Sequence, residues 1–416
     1  EGEIKAITPF AIRSGDEYDG PAIGKTGRSA RVRSVIRDHR GRPYLPGASI
    51  KGAMRSEVEA QDTLFGVVKS EEDGRAACLT VQDAFMIDRD AKCGEQGADN
   101  VACGVYVAGR TAIDRPSGTA DDHKLFHDEV VAPGARFRVR LDYDAARGDV
   151  GAERALGRAL ALFARQHGLA IGSGRADGRG RFVRVGDWSV QEETLTAEGE
   201  CRTAPLEREK TAAFHDALST VPDEAGVLFS ITLSSREPFA TLDSTWNPPR
   251  RADSFQRLPR LRTVRRKDGE CWLEGTSFMG GLKAYAEWRD RLAAHRAAPG
   301  TTYEPARIFR LFGNTWRRGL LMLVLIEPTG RHELKPLTSV KLDRVTQGPI
   351  DNALFTTEAF ETAGFAITLR LETARYTEEE RDAGLDADDR AFVEALLDRI
   401  AKRGIALGHG ENKGWG

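Results

Sequence analysis

The chain has 416 residues, 40% of them hydrophobic and 30% charged, with a formal net charge of -2. That length favours two or three globular domains, and the near-neutral sum excludes a uniformly basic nucleic-acid binder, so any such role must rest on local charge. No run of 18 apolar residues and no signal-peptide pattern occur, so no membrane partner is expected; five cysteines without a C-x-x-C pair fit a reducing, cytoplasmic setting.

A strand is predicted over residues 4–12. A long, irregular, arginine-rich segment follows; its stretch 28–42 holds Arg31, Arg33 and Arg37 and no lysine. Arginine suits phosphate and base stacking better than lysine does. Residues 19–26, DGPAIGKT, imitate a phosphate-binding P-loop. The loop is one residue short, Asp19 stands where the first glycine belongs, and no strand leads in, so nucleotide hydrolysis is set aside. PGASIKGAMR (46–55) then opens a helix predicted over 49–60, with Ser49 as N-cap and Lys51 and Arg55 close behind. Such a helix start is a natural phosphate site, although an ordinary cap with solvated charges gives the same pattern. Strands are predicted over 79–87 and 136–143. His123 and His127 sit among Asp121, Asp122 and Asp128, which read as a solvated acidic turn rather than a metal cluster. Cys78, Cys93 and Cys103 offer zinc ligands, but the second half has no matching set, so structural zinc is weakly supported. An amphipathic helix over 151–166 stops at Gly168, and GSGRADGRG (172–180) leads into a strand over 181–185.

Residues 189–225, polar and acidic with Pro205 and Pro222, read as a connector. Beyond it comes a strand over 227–233, then an arginine-rich stretch over 250–267. EGTSFMGGLK (274–283) opens a helix over 277–294 with Ser277 and Lys283. The apolar run 320–326 reads as a buried strand. A second amphipathic helix over 388–402 ends at Gly404, and GHGENKGWG (408–416) follows.

Four landmarks recur in the same order. Glycines fall at the same four offsets in 172–180 and 408–416. Asp114-Arg115, Phe126 and Glu129 share their spacing with Asp343-Arg344, Phe355 and Glu358. The G-x-S-x-x-G helix start and the Leu-Phe-Gly of 64–66 recur at 275–280 and 311–313. The expectation is an α+β chain of two tandem modules, residues 1–188 and 226–416. Each has the order strand–helix–strand–strand–helix–strand, which is ferredoxin-like (RRM-like). The glycine loops imply positive φ or a close backbone approach, and clustered N–H groups of that kind suit a phosphate chain. Arg179, Arg181, Lys413 and Trp415 add charge and a stacking surface. A structural turn is the plain alternative. The first loop is followed by a strand, whereas the second closes the sequence, so the second module's last strand lies outside it or is not needed.

PGASIKGAMR, LFG, VQDA (81–84), AIDRPSGTA with LFHDE and the glycine loop resemble the repeat-associated RNA-binding (RAMP) superfamily. So do GTSFMGGL, LFG, TSVKLDRVTQGPIDNALFTTEAF and GHGENKGWG in the second half. Within it they are most similar to the backbone subunits of type III CRISPR effector complexes, and two modules in one chain resemble fused double-backbone subunits. The resemblance implies partners: a guide (CRISPR) RNA, a single-stranded target RNA and other RAMP subunits. It implies RNA contacts at the helix starts (Ser49, Lys51, Arg55, Ser277, Lys283) and at the glycine loops (Gly172, Gly174, Arg179, Gly408, Gly410, Lys413, Trp415). Arg31, Arg33, Arg37, Arg115 and Arg344 complete the set. It implies hairpin insertions, or thumbs, over about 88–129 and 337–358, with sequence read by base pairing. It also implies a loop aspartate between strand one and helix one for target cleavage with Mg2+ or Mn2+. In relatives that residue shortly precedes a V-I-R-D-like segment. Here the segment is 35–38 and the equivalent place falls near Val32, so the candidates are Asp16 and Asp19 in the first module and Asp243 and Asp253 in the second. Asp38 and Asp268 read as turn residues. The alternatives are a non-catalytic guide-RNA scaffold and a guide-processing ribonuclease with His39 or His167 as base.

Overall fold

The computed structural model describes residues 1–22, 29–58, 62–68, 74–87, 104–113, 120–196, 200–206, 211–223, 226–241, 263, 271–300, 302–343 and 345–408. The first half runs β1 (Gly2–Ala6), β2 (Arg13–Ala22), β3 (Ser29–Val35), β4 (Tyr44–Leu45), α1 (Gly47–Arg55), α2 (Asp62–Phe65), β5 (Val67–Val68), β6 (Gly74–Arg75), β7 (Leu79–Val81), β8 (Ala84–Met86), β9 (Val105–Ile113), β10 (Ala120–Val131), β11 (Arg136–Val139), β12 (Leu141–Tyr143), α3 (Val150–Ala161), β13 (Leu169–Ala170) and β14 (Arg181–Val185). There follow β15 (Gln191–Leu195), β16 (Cys201–Pro205) and α4 (Ala212–Ser219). The second half runs β17 (Val227–Ser234), α5 (Gly275–Ala297), α6 (Ala306–Phe312), β18 (Leu321–Pro328), β19 (Leu334–Leu342), β20 (Pro349–Phe360), β21 (Gly364–Leu371), α7 (Glu378–Asp382) and α8 (Leu385–Arg403). The chain is thus a mixed α+β protein, and no helix among the described residues is long and apolar enough to cross a membrane.

The first half is built on an antiparallel sheet ordered β13-β14-β1-β11-β8-β4. Alternation on β1 sends Ile4 and Ala6 inward, both fully buried. Phe10, Phe137 and Phe182 meet edge-on beneath the sheet, with ring centroids 5.0–6.1 Å apart, the geometry that aromatic quadrupoles favour. α1 contributes Ile50 and Met54 to this core, and α3 contributes Ala152, Ala155, Leu156, Ala159 and Leu160 at helical spacing. Asp149 caps α3 by accepting from the Ala152 amide at 2.7 Å. The second half repeats the plan with an antiparallel sheet ordered β17-β21-β18 over a separate core that includes Phe278, Leu311, Leu323, Ile367, Val393 and Leu396. Among the described residues β17 pairs only with β21. The insertions include β-hairpins, β9–β10 and β19–β20, which overlap the two ranges read as thumbs and run two or three residues past them.

A further duplication becomes evident only in the fold. Pro9-Phe10-Ala11 recurs as Pro238-Phe239-Ala240. Phe10 exchanges both backbone hydrogen bonds with Val131, and Phe239 does the same with Phe360, at 2.8–3.0 Å. A Cβ on Gly172 would lie 2.7 Å from the Ala11 carbonyl, and one on Gly408 would lie 2.8 Å from that of Ala240. The two glycine loops therefore begin against the same backbone turn in each half.

Three expectations need correction. Helix α1 starts at Gly47 with Pro46 at its N-cap and no side-chain cap, and α5 starts at Gly275, so Ser49 and Ser277 lie inside the first turn. The arginine-rich segment before α1 is a hairpin, β2 paired with β3, rather than irregular chain. Val32 and Val35 are buried on it, and the strand is held by pairing with β2 and β10. Residues 189–225 are not a free connector either. Phe214 of α4 enters the first core, and α4 crosses α3 so closely that a Cβ on Gly157 would sit 2.4 Å from the Phe214 carbonyl. Arg165 then ties down the following chain through the carbonyls of Pro222 and Asp223, both at 3.0 Å.

Two glycines separate backbone conformation from crowding. Gly41 has φ +74 and open space around it, whereas Gly180 has φ +79 and a Cβ there would lie 2.1 Å from the Ile171 carbonyl. Gly41→Ala should cost about 1–2 kcal/mol from the left-handed backbone alone. Gly180→Ala should cost clearly more, read as a larger drop in the urea midpoint of unfolding.

Candidate nucleic-acid interface

The hairpin β2–β3 extends through β10 and β9 into a four-stranded sheet, with β3 parallel to β10. Residues 127–129 of β10 organise it. Asp128 is fully buried; it accepts from Arg13 Nη1 at 2.8 Å and Arg33 Nε at 2.7 Å, and Arg110 lies 3.4 Å away. Burial works against the charged carboxylate, yet the hydrogen bond from Arg13 and the charges of Arg110, Arg13 and Arg33 outweigh it and hold Asp128 below the usual carboxylate range. Glu129 accepts from Tyr18 Oη at 3.1 Å, from the Val35 amide at 3.0 Å and from Arg37 Nη2 at 3.0 Å. Burial, with the Glu129 charge behind it, raises the Tyr18 hydroxyl to about 12, so it stays a donor. His127 is buried beside this pair, and burial lowers its pKa. The reading of a solvated acidic turn is therefore corrected: the stretch lies on strand β10, and its Asp128, with Glu129, is the buried counter-charge for a set of arginines. At the outer face Arg33 also lies 5.7 Å from the centroid of the exposed Phe126 ring, and Arg31 is 81% exposed. An aromatic face beside exposed guanidinium groups is the combination that binds single-stranded RNA.

The first glycine loop lies elsewhere. Gly172, Gly174, Gly178 and Gly180 all adopt positive φ, from +75 to +96. The N–H groups of Ser173, Asp177, Arg179 and Gly180 donate to the carbonyls of Ala11, Gly174 and Pro9. Those four amides are committed to protein. The loop also joins the two halves. Asp177 forms a parallel bridge with Leu323, and the Leu323 amide donates to the Ala176 carbonyl at 3.0 Å. Cβ atoms on Gly178 or Gly275 would collide with Leu323 and the Asp177 carbonyl. Arg179, 3% exposed, pairs with Glu274 at 3.2 Å, and Glu274 also accepts from Tyr106 Oη at 3.1 Å and Trp272 Nε1 at 3.0 Å. Arg179 therefore serves the junction rather than the surface.

The other expected RNA-binding residues separate into groups. Arg31, Arg33 and Arg37 come together on the β3 side, while Arg55 is exposed on α1. Lys51 Nζ donates to the Leu79 carbonyl at 2.7 Å, and Lys283 Nζ to that of Gly313 at 3.2 Å. Ser49 is half-buried and Ser277 exposed. The Gly47 amide at the start of α1 is taken by Asp83 Oδ1 at 2.8 Å. Arg115, Arg344, Gly410, Lys413 and Trp415 lie outside the described residues, as do Asp243, Asp253 and Asp268. Asp16 and Asp19 are exposed on β2, Asp16 in its bulge and Asp19 opposite Arg31, so neither is on a loop. Asp38 is the expected turn residue; it accepts from the amides of Arg40 and Arg42 and from Arg42 Nε. Cys78 is buried and its thiol donates to the Thr63 carbonyl at 3.1 Å, a core role that does not suit a zinc ligand; Cys93 and Cys103 lie outside the described residues. His39 and His167 stand on different elements, His167 lining a cavity of about 310 Å3 between the halves with Thr8, Pro9 and Trp272. Among the described residues no three His, Cys, Asp or Glu side chains are placed to hold a metal. The arginine partners Asp128 and Glu129 were visible in the sequence only as a repeated glutamate; long-range pairing with Arg13 and Arg37 leaves no local pattern.

The RAMP superfamily model matches residues 3–183 and again 251–416. No curated protein matches the chain significantly.

Asp128→Asn removes the charge that three arginines share, and should cost about 3–5 kcal/mol, as for other broken buried pairs. Because the folded pKa is depressed, the stabilisation is complete above the unfolded value of about 3.9 and is lost as pH falls through the folded value. Thermal melts from pH 7 to pH 2 should show a steeper acid loss in the wild type than in the variant.

Proposed function

Because the chain belongs to the RAMP superfamily, a family of CRISPR-associated RNA-binding proteins, we propose that it is a guide-RNA-binding backbone subunit of a type III CRISPR effector complex, with two backbone modules fused in one chain. The observation that carries this reading is the double match, in sequence order, over two cores of the same plan. We read each sheet as ferredoxin-like. The order β14-β1-β11-β8, with α1 and α3 as the connecting helices, supports that for the first module. The order β17-β21-β18 supports it for three strands of the second. The partners would be the guide RNA, a single-stranded target RNA and further RAMP subunits. The exposed arginine face of β3, the Phe126 ring and Arg55 would face phosphate and base, with the hairpins β9–β10 and β19–β20 as the thumbs.

Target cleavage is the second part of the proposal. Mg2+ is commonly held by one or two carboxylates together with substrate phosphates. An exposed Asp16 or Asp19 fits that donor set, and Asp253 or Asp243 would serve the second module. The ion would supply charge neutralisation at the phosphate, while the aspartate orients it or the attacking 2′-hydroxyl. The non-catalytic scaffold is the second reading, favoured by Asp19 lying opposite Arg31 on a paired strand.

The purified protein should carry a discrete short RNA and RAMP partners. Arg31→Glu with Arg55→Glu should weaken RNA binding and lower the slope of log K against log salt by about 0.7 for each phosphate no longer neutralised. An unchanged slope and affinity would contradict the assigned face. Asp19→Ala and Asp253→Ala should each diminish metal-dependent cutting of guide-matched RNA by the assembled complex; undiminished cutting would leave the scaffold reading.

A further inference from the structure

The loop 313–319, between α6 and β18, displays a tryptophan that the fold does not use. Trp316 is 93% exposed, yet its backbone is fixed. Asn314 Oδ1 accepts from the amides of Trp316 and Arg317 at 2.9 and 2.8 Å, and the Asn314 amide donates to the Arg317 carbonyl at 2.9 Å. Arg317 is paired through both guanidinium nitrogens with Glu380, itself locked in the capping box of α7. At the foot of the loop, a Cβ on Gly319 would lie 2.6 Å from the Leu311 carbonyl. A large aromatic face is thus presented to solvent on a pinned turn.

Two residues on, Arg318 enters a cluster of like charges. Its Nη2 lies 2.8 Å from Met322 Sδ and 3.8 Å from Glu372. Arg370, opposite Met322 in the sheet, approaches the same carboxylate at 3.2 Å, and Arg375 does so at 3.0 Å. Arg175 arrives from the first module, since it precedes Ala176, whose carbonyl takes the Leu323 amide. Three guanidinium groups therefore approach one carboxylate, and the charge of Arg175 acts on Arg318 beside them. Burial and the neighbouring Arg175, Arg375 and Arg370 depress Arg318, against the pull of Glu372. Unlike the set around Asp128 and Glu129, this cluster is under-neutralised. Arg318 and Arg375 remain 36% and 42% exposed.

We propose that Trp316 and this cluster form a nucleotide site at the junction of the modules, with Trp316 stacked on an unpaired base of single-stranded RNA and Arg318 and Arg375 on its phosphate. The inference rests on the reading of the chain as an RNA binder, and adds a position outside the β3 face. A single nucleotide supplies both the planar ring and the anion that the site lacks; an acidic peptide supplies only the anion.

The test uses the full chain, freed of bound RNA, and a labelled ten-nucleotide oligoadenylate. Trp316→Ala should weaken binding about fivefold or more, the effect of losing one stacked base. Trp316→Phe should restore most of it. Arg318→Gln with Arg375→Gln should lower the salt slope by about 0.7, the share of that one phosphate. The Trp316 variants should melt as the wild type does, because the side chain is exposed. If Arg31→Glu with Arg55→Glu weakens binding while Trp316→Ala changes it less than twofold, this site is refuted and the RNA-binding reading stands. If the wild type binds no oligoadenylate, both fall. If Trp316→Ala spares RNA but abolishes binding of a polyglutamate peptide, the site belongs to a protein partner and the proposal is overturned.

Discussion

The approach of the Ala176–Gly178 backbone to the edge of β18 is the contact on which the relation of the two modules depends. A backbone comes this near another only where side chains are missing. Gly178 and Gly275 clear the path from opposite sides, and positive φ at the four loop glycines turns the chain to deliver it. Charges then close the seam: Arg179 with Glu274, Tyr106 and Trp272 around that same carboxylate, and Arg110 near Asp177 at 3.8 Å. Burial raises the Asp177 carboxyl despite Arg110 and Arg179, which marks the seam as partly desolvated. Interactions of this kind are specific in geometry rather than large in energy.

A second constraint follows on the β10 strand. Arginines massed on a sheet repel one another and would splay it. Asp128 and Glu129, buried behind Arg13, Arg33, Arg110 and Arg37, supply the counter-charge from inside and leave the outer face basic. This reconciles a chain of net charge -2 with a locally basic surface. The second module keeps the glutamate, as Glu358, but has Thr357 where the first has Asp128. β20 therefore carries no carboxylate at that position, so the two modules differ in charge at the same place in their plan.

Much of the architecture was legible in the sequence because duplication makes weak signals strong. The glycine loops, the Leu-Phe-Gly turns and the paired helix starts each imply little alone, but in order they imply two modules. The strands over 181–185 and 227–233 and the helix stop at Gly404 follow from local periodicity and from glycine's backbone freedom. What stayed hidden was set by distant partners. Arg31 and Arg33 read as loop because their strand is defined by pairing with β2 and β10, not by propensity. Ser49 read as a cap, yet the helix-start amide, that of Gly47, is taken by Asp83, thirty-six residues beyond that glycine. The docking of the first glycine loop on the second module stayed hidden because the sequence does not say whose backbone its chain meets. Residues 189–225 read as a connector because the hairpin β15–β16 is polar, while the core contact of α4 rests on a few residues, Phe214, Ala217 and Leu218.

The central claim is that the docked glycine loop sets two RNA-binding modules in one register. The most direct measurement is the nuclease footprint of the RNA-bound protein compared with that of Gly178→Val, which drives a side chain into Leu323 and opens the seam. The account predicts one continuous protected stretch for the wild type and a shortened or interrupted one for the variant, with each module still folded. An unchanged footprint on breaking the seam would contradict it.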